Sequence, residues 1–309
     1  MPGGRRLGMA GIRSGLKKLG IIGIMLALLM SYSVQYSFAV DDSGVWGPTT
    51  HVGKYYFRFS WGGNGHLYMS KKKNSGFKKV PVTDPFFVTN GKTIMFIAID
   101  NGNYCIKSYA ISSKKVSKVK QLPDGTWEIV SASGSYLWLT DFENTYRYDI
   151  RTGKLKRYKK NVYIDMHLYG AYYLCYSGDW KYSRRNVPVV LDSGNGYTTT
   201  SKIDISYQKA AIYKITKDGK FKKVRSLGKV NYVSVDSHEP DNYGKVRSFY
   251  YTTEGAHKIY RIKFNGKGRK KIKSFDGYVI IMSKKYCYVY DNNKEYKYYY
   301  KTGKKVLSN

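Results

Sequence analysis

The sequence predicts an all-β fold, a β-propeller of six four-stranded blades, and three observations lead to this prediction. Short segments rich in Tyr, Ile and Val recur along the chain, which is typical of strands. Polar turns follow these segments at intervals close to the length of one blade. After residue 40, no long stretch has the 3.6-residue period of an amphipathic helix. Seven blades or an open array of sheets remain alternatives.

Each repeat is built around a pair of strands. An inner strand precedes most pairs, and a short basic strand follows them, so that one repeat supplies four strands. A single blade cannot cover its own faces, whereas stacking it between neighbours buries them. The predicted pairs are 55–59 with 67–69, 93–99 with 104–109, 136–139 with 145–150, 172–176 with 211–215, 248–252 with 258–262, and 286–290 with 296–300.

A turn after the second strand of each pair marks the period. Successive turns are about 37 to 66 residues apart, and a four-stranded blade takes about 40 to 50 residues. The longest interval predicts an inserted loop at 177–209. The turns contain Gly76, Ser113-Lys114, Gly153, Gly219, Gly266 and Gly303.

Two of the repeats resemble those of a known group of proteins. Residues 146–158 and 212–224 are similar to the repeats of TolB-like propellers. They are also similar to uncharacterised propeller-like repeats of exported proteins from clostridia-like, Gram-positive bacteria. The Ser-Pro-Asp-Gly turn of TolB repeats is missing here, so that protein's partners and role are not carried over. The resemblance implies a propeller fold and an exported protein that binds a partner without catalysing a reaction.

The N-terminus has the pattern of a secretory signal peptide. Basic residues within 5–18 precede an apolar core at 19–30, and Ser37-Phe38-Ala39 is a small-x-small cleavage site. We expect residues 1–39 to be removed near Ala39, and residues 40–309 to form one propeller domain, secreted or held at the extracellular surface. The alternative is an uncleaved N-terminal anchor, because an extended apolar segment could span a bilayer.

The sequence predicts no cofactor, metal site or catalytic motif. Cys105, Cys175 and Cys287 each lie in an apolar or aromatic run, which favours buried free thiols over disulfides. The acid and His cluster at 236–241 has no second ligand at zinc spacing.

Positive charge is concentrated at one point of each repeat. Residues 40–309 carry 49 basic and 21 acidic side chains. Six segments, each comprising the last turn and outermost strand of a repeat, hold 29 of these basic residues and a single acid, Asp218. The remaining residues of 40–309 carry equal numbers of basic and acidic side chains. The segments are 70–80, 112–120, 151–160, 216–225, 263–273 and 301–307.

In a propeller these segments form the outer rim, for which two interpretations stay open. Lysines on an exposed strand edge discourage pairing with another chain. A continuous positive rim would also attract an extended polyanion. For an exported monomer we expect an anionic cell-wall polymer or acidic polysaccharide as partner, with a peripheral membrane surface as an alternative and no nucleic acid. The predicted polymer-binding residues are Lys78, Lys79, Lys156, Arg157, Lys222, Lys223, Lys270 and Lys271.

Loops between the second and third strands share one face of a propeller, which we call the loop face. A long loop in a compact array is typically functional or disordered. The inserted loop and the Gly-rich loop of the first repeat therefore predict a ligand site. Its expected residues are Trp61, Trp180, Tyr182, Arg184 and Arg185.

The alternative function is a secreted polysaccharide-active enzyme, a glycosidase or lyase. Carboxylates that face each other across a site are what such chemistry needs. In that case, changing Asp141 or Glu143 to the amide would abolish turnover. The acids that we place on the loop face are Asp100, Asp141, Glu143, Asp179 and Glu254.

Overall fold

The computed structural model describes residues 49–60, 65–84, 86–190, 198–234, 248–253, 255–283, 285–292 and 294–308. In these ranges all regular structure is β, with 23 strands and no α-helix. The ranges accordingly contain no helix of the length and apolar character needed to cross a membrane. The predicted signal peptide with its cleavage site at Ala39 lies outside the described residues, and so does Trp61.

The first three blades, I to III, are separate sheets of four consecutive antiparallel strands. Their middle strands confirm the predicted pairs, and the first strand of each sheet is the inner one. The strands are β1 (Thr50–Val52), β2 (Tyr55–Ser60), β3 (His66–Ser70) and β4 (Lys78–Lys79) in blade I; β5 (Phe87–Thr89), β6 (Thr93–Asp100), β7 (Asn103–Ala110) and β8 (Lys115–Gln121) in blade II; and β9 (Glu128–Ser133), β10 (Tyr136–Thr140), β11 (Thr145–Asp149) and β12 (Lys154–Lys159) in blade III.

The last three blades, IV to VI, contain the remaining strands. Blade VI is again a separate four-stranded sheet, whereas blades IV and V are joined in one sheet of seven strands. The strands are β13 (Val162–Tyr169), β14 (Tyr172–Val190), β15 (Thr198–Ile215) and β16 (Phe221–Val233); β17 (Ser248–Thr253), β18 (Lys258–Lys263) and β19 (Lys270–Ser274); and β20 (Tyr278–Met282), β21 (Tyr286–Asp291), β22 (Lys294–Tyr299) and β23 (Lys305–Leu307).

The long strand β16 serves both blade IV and blade V. It pairs with β15 from Phe221 to Val230, as the outer strand of blade IV. It then pairs with β17 at Val230 and Val233, as the inner strand of blade V. With this shared strand, the described residues form six four-stranded blades. The fold is therefore an all-β propeller, as the sequence predicts.

The predicted turns have a common backbone conformation. The five turn glycines have φ between 69° and 78°, in the left-handed region that side chains with a Cβ rarely adopt. In blade II, Lys114 takes the same place with φ of 55°. One turn geometry is thus repeated in all six blades.

Apolar side chains gather between neighbouring blades. Separate clusters of buried residues join blade I to II, II to III, III to IV, IV to V and V to VI. Between blades III and IV, the fully buried Trp138 ring lies 5.0 Å from the Tyr158 ring and 5.6 Å from the Phe221 ring. The three cysteines are buried and free, which confirms the predicted thiols.

The segment 177–209 differs from the predicted loop. Most of it continues β14 and β15 as a two-stranded antiparallel hairpin, paired as far as Val190 with Thr198. Its alternating and β-branched residues suit strands, and cross-strand pairing satisfies the backbone. The base of this hairpin is buried, because Ile205 packs into the cluster between blades V and VI with Ala256 and Ile259.

Candidate functional site

The predicted basic rim lies on outermost strands. Its four pairs of cations are on β4, β12, the first part of β16, and β19, and all eight side chains are exposed. Successive residues of a strand point to opposite faces, so each pair directs one cation to either side of its sheet. The residues are Lys78 and Lys79, Lys156 and Arg157, Lys222 and Lys223, and Lys270 and Lys271.

No ion pair seen between described residues includes one of these eight cations. Asp100, Asp218 and Asp291 form ion pairs, and the partners of all three are lysines outside the eight rim positions. Two of these ion pairs join Lys305 Nζ to Asp291 Oδ2 at 2.6 Å and Lys220 Nζ to Asp218 Oδ2 at 2.7 Å. The eight cations therefore leave exposed positive charge on four blades.

The predicted aromatic site falls on the hairpin. Trp180 and Tyr182 belong to β14, and their side chains are 53% and 71% exposed. Arg184 and Arg185 lie farther along the same strand. Because Trp61 lies outside the described residues, the structure places four of the five predicted residues on one element.

Three aromatic rings connect the hairpin to the inner strand of blade IV. The Tyr163 and Tyr176 ring centroids are 5.9 Å apart, and those of Tyr176 and Trp180 are 6.3 Å apart. The Tyr163 hydroxyl donates a 2.9 Å hydrogen bond to Gln208 Oε1. Gln208 Nε2 in turn donates to the carbonyl oxygen of Gly178. These contacts anchor the base of the hairpin and leave the Trp180 ring open to solvent.

Two carboxylates of the enzyme alternative, Asp141 and Asp100, have structural partners. Asp141 accepts hydrogen bonds from the amides of Glu143 and Asn144, from the Asn144 side chain and from the Tyr146 hydroxyl. Burial raises the pKa of Asp141, but these hydrogen bonds outweigh it, and the pKa lies below its ordinary value. Asp100 pairs with lysines on β7 and β8. Asp141 therefore caps a turn as a carboxylate and is not poised as a proton donor.

A different set of carboxylates lies on or beside the inner strands of blades II to IV. Inner strands surround the central channel of a propeller, so we call these residues the channel carboxyls. Asp84 precedes β5, Glu128 begins β9, and Asp165 lies within β13, so all three are on or next to inner strands. The Asp84 carboxylate accepts hydrogen bonds from the amides of Phe86, at 2.8 Å, and Ile97, at 3.1 Å. The structure thus brings acids to the centre of a strongly basic protein.

These three acids have raised pKa values. Burial raises the pKa of Asp84 to about 7. The backbone hydrogen bonds that Asp84 accepts lower this pKa in part, and the negative charge of Glu128 raises it further. Burial and the charge of Asp165 raise the pKa of Glu128 to about 7. The Asp165 side chain is in contact with solvent, but neighbouring protein atoms partly bury its carboxyl group, and this burial raises its pKa to about 6. The group can hold or release protons near neutral pH.

Sequence reasoning missed this group, although a signal was present. Asp165 stands between Ile164 and Met166 in a run of mostly apolar and aromatic residues, and Glu128 directly precedes Ile129 and Val130; a charge at such positions is costly. The part of the chain that the structure describes contains no group of three or more His, Cys, Asp or Glu side chains able to hold a metal ion. The cluster at 236–241 and Glu254 lie outside that part.

Comparisons with known proteins concern the fold. No protein-family model matches the sequence, and no curated protein matches it. Among solved structures, the chain is similar to TolB from Acinetobacter baumannii, with 12% sequence identity and a TM-score of 0.36. The alignment covers 98% of this chain and 71% of TolB.

Two further structures are similar at comparable levels. The β-propeller domain of the Trilobed protease from Pyrococcus furiosus is 10% identical, with 85% of this chain and 97% of that domain covered and a TM-score of 0.32. Dipeptidyl peptidase 4 of Porphyromonas gingivalis is 11% identical, with a TM-score of 0.33; all of this chain aligns, but it spans only 49% of that protein. The assignment of a propeller rests on the sheets of this chain itself.

Proposed function

We propose that this chain is an exported, non-catalytic binding module that holds an anionic polymer of the cell surface against its basic rim. The observation that carries the proposal is the set of eight exposed rim cations, none of which is in an ion pair with an acid of the described residues. The N-terminal signal pattern supports export. Because an exported protein does not meet intracellular nucleic acid, a wall polymer or acidic polysaccharide is the partner of choice.

Protection of strand edges explains only part of this charge. One or two lysines on an edge are enough to discourage pairing with another chain. The six rim segments hold 29 cations and one acid, which exceeds that need. A flexible polyanion that follows the rim would contact several blades at once and release its counterions, which favours binding.

The test is a salt series with the purified full-length protein and isolated cell wall, repeated with polyphosphate as a defined polyanion. We expect the affinity to fall by about tenfold or more between low and physiological ionic strength. An affinity that is insensitive to salt would contradict the proposal.

Charge-reversal variants locate the binding surface. Lys222→Glu with Lys223→Glu should weaken polyphosphate binding by about tenfold, because two attractive contacts become repulsive. Lys209→Glu with Lys229→Glu is the matched control, since these exposed lysines are cross-strand neighbours outside the rim and the change in net charge is the same. Equal losses in both variants would argue for a net-charge effect and against a rim site.

A further inference from the structure

The face of blade VI that points away from blade V carries a row of aromatic, aliphatic and cationic side chains. Its side chains form a row across the four strands, in which Ile281, Tyr288, Lys297 and Val306 are cross-strand neighbours. Such neighbours lie about 5 Å apart and touch. The row is aromatic and aliphatic with one cation at its centre, which is an unusual composition for a solvated sheet.

No apolar cluster of the described residues covers this face. Five clusters join consecutive blades from I to VI, and none of them joins blade VI to blade I. The ends of the row are open, with Ile281 56% and Val306 38% exposed. Blades I and VI also share no strand, because β1 to β4 and β20 to β23 form two separate sheets. Tyr288 and Lys297, between these ends, are half-buried. As far as the described residues go, solvent therefore reaches this face of blade VI, most of all at its two ends.

The centre of this face is an ammonium group held among tyrosine rings. Lys297 Nζ lies 3.9 Å from the ring centroid of Tyr286 and 5.8 Å from those of Tyr288 and Tyr299. The Tyr286 and Tyr288 rings are 5.5 Å apart and nearly perpendicular. The rings hold the cation in place, so little side-chain entropy is lost when it meets an anion.

The chemistry of this face fits an acidic sugar better than a second copy of the chain. Tyrosine faces stack on the C–H face of a pyranose, and the ammonium binds a carboxylate. Residues 278–309 carry seven lysines and two acids, so their charge complements a polyanion. Two copies docked through this face would bring Lys297 against Lys297 in a desolvated interface, which is unfavourable.

We propose that the outward face of blade VI is a subsite for a hexuronate residue of an acidic polysaccharide, with Tyr288 as stacking platform and Lys297 as carboxylate ligand. This proposal rests on the proposed function, in which the rim holds the polymer by charge alone. The rim then supplies affinity for any polyanion, and blade VI supplies preference for acidic sugars.

The test measures binding of a galacturonate hexamer to the full-length protein by calorimetry, with neutral maltohexaose and polyphosphate as comparison ligands. Lys297→Gln and Tyr288→Ala should each weaken hexamer binding by about five- to tenfold. Tyr288→Phe keeps the ring and should stay within about twofold. Lys214→Gln is the matched control, because Lys214 also lies over a tyrosine ring, 5.6 Å from that of Tyr172 on blade IV.

The outcomes separate the two proposals. Selective loss of hexamer binding in Lys297→Gln, with polyphosphate binding unchanged, supports the subsite. The subsite is overturned if Lys297→Gln binds the galacturonate hexamer with the same affinity as the unaltered protein. It is also overturned if the unaltered protein binds maltohexaose with the same affinity as the hexamer. Lys297→Gln changes an accessible side chain, so its result stands even if Tyr288→Ala fails to fold. The rim proposal is contradicted by a different result, namely an affinity for polyphosphate that does not change with salt concentration.

Discussion

Gly219, in the turn before β16, packs directly against the ring of Tyr136 in the neighbouring blade. A Cβ at Gly219 would lie 2.6 Å from Cε2 of Tyr136 and closer still to Cδ2. The Arg147 guanidinium lies 4.3 Å from the same ring and donates a 2.9 Å hydrogen bond to the Gly219 carbonyl oxygen. The turn of blade IV is thus fastened to blade III through a contact that only glycine allows.

Replacing this glycine should destabilise the protein more than the same change in another turn. Gly219→Ala meets both a left-handed φ of 70° and the Tyr136 ring, so we expect a loss of about 3 kcal/mol. Gly153→Ala is the matched control, because Gly153 has a φ of 69° and its nearest neighbour, the Tyr148 hydroxyl, lies 3.9 Å from the added Cβ. This control should lose about 1 kcal/mol. Denaturant unfolding measures both, and equal losses would refute the packing argument.

The channel carboxyls should make stability depend on pH. Their pKa values are higher in the folded protein than in the unfolded chain, so the folded state binds more protons between pH about 4 and about 7. The free energy of unfolding therefore decreases as pH rises through this window. Replacing Glu128 by Gln and Asp165 by Asn removes the cost of ionisation, and should raise the thermal midpoint at pH 7.5 by about 2–4 °C relative to the unaltered protein.

The test compares the thermal midpoint of the double variant with that of the unaltered protein, at pH 7.5 and at pH 4.5. At pH 4.5 the difference should be smaller, since both carboxyls are then largely protonated in the folded state. Asp124→Asn, at an exposed position in the loop before β9, serves as control and should leave the curve unchanged. A double variant whose midpoint follows the same pH curve as the unaltered protein would contradict the argument.

The hairpin should contribute to the stability of blades it does not belong to. Ile205 is only 6% exposed and packs with Ala256 and Ile259, so Ile205→Ala should cost about 2–4 kcal/mol in the free energy of unfolding. Tyr182→Ala, at a 71% exposed position on the same hairpin, should change it by less than about 0.5 kcal/mol. Chemical denaturation of both variants measures the contrast. A cost at Ile205 no larger than at Tyr182 would show that the hairpin is not anchored there.

The strands and turns were predictable because their signals are local. Alternation of Tyr, Ile and Val is visible in a window of six residues, and it placed the middle strands of every blade. The turn glycines mark a backbone conformation that depends on a few neighbouring residues. Even the exception at Lys114 kept the same geometry, because the flanking strands impose it.

The hairpin and the channel acids were not predictable in the same way. Residues 177–209 lack the regular period of the blades, and whether they form strands depends on pairing and on the contact of Ile205 with blades V and VI. Glu128 and Asp165 lie far apart in sequence from Asp84, and their mutual repulsion exists only once three inner strands face one channel.

The amino-acid order by itself determined the repeat, the all-β fold and the segregation of positive charge, since each depends on spacing along the chain. Tertiary structure alone decided which faces meet: that Gly219 lies on Tyr136, that acids collect in the channel, and that the tyrosine face of blade VI is left open. The physical reason is that burial, pKa shifts and stacking depend on distances in space, which arise only when separate sheets come together.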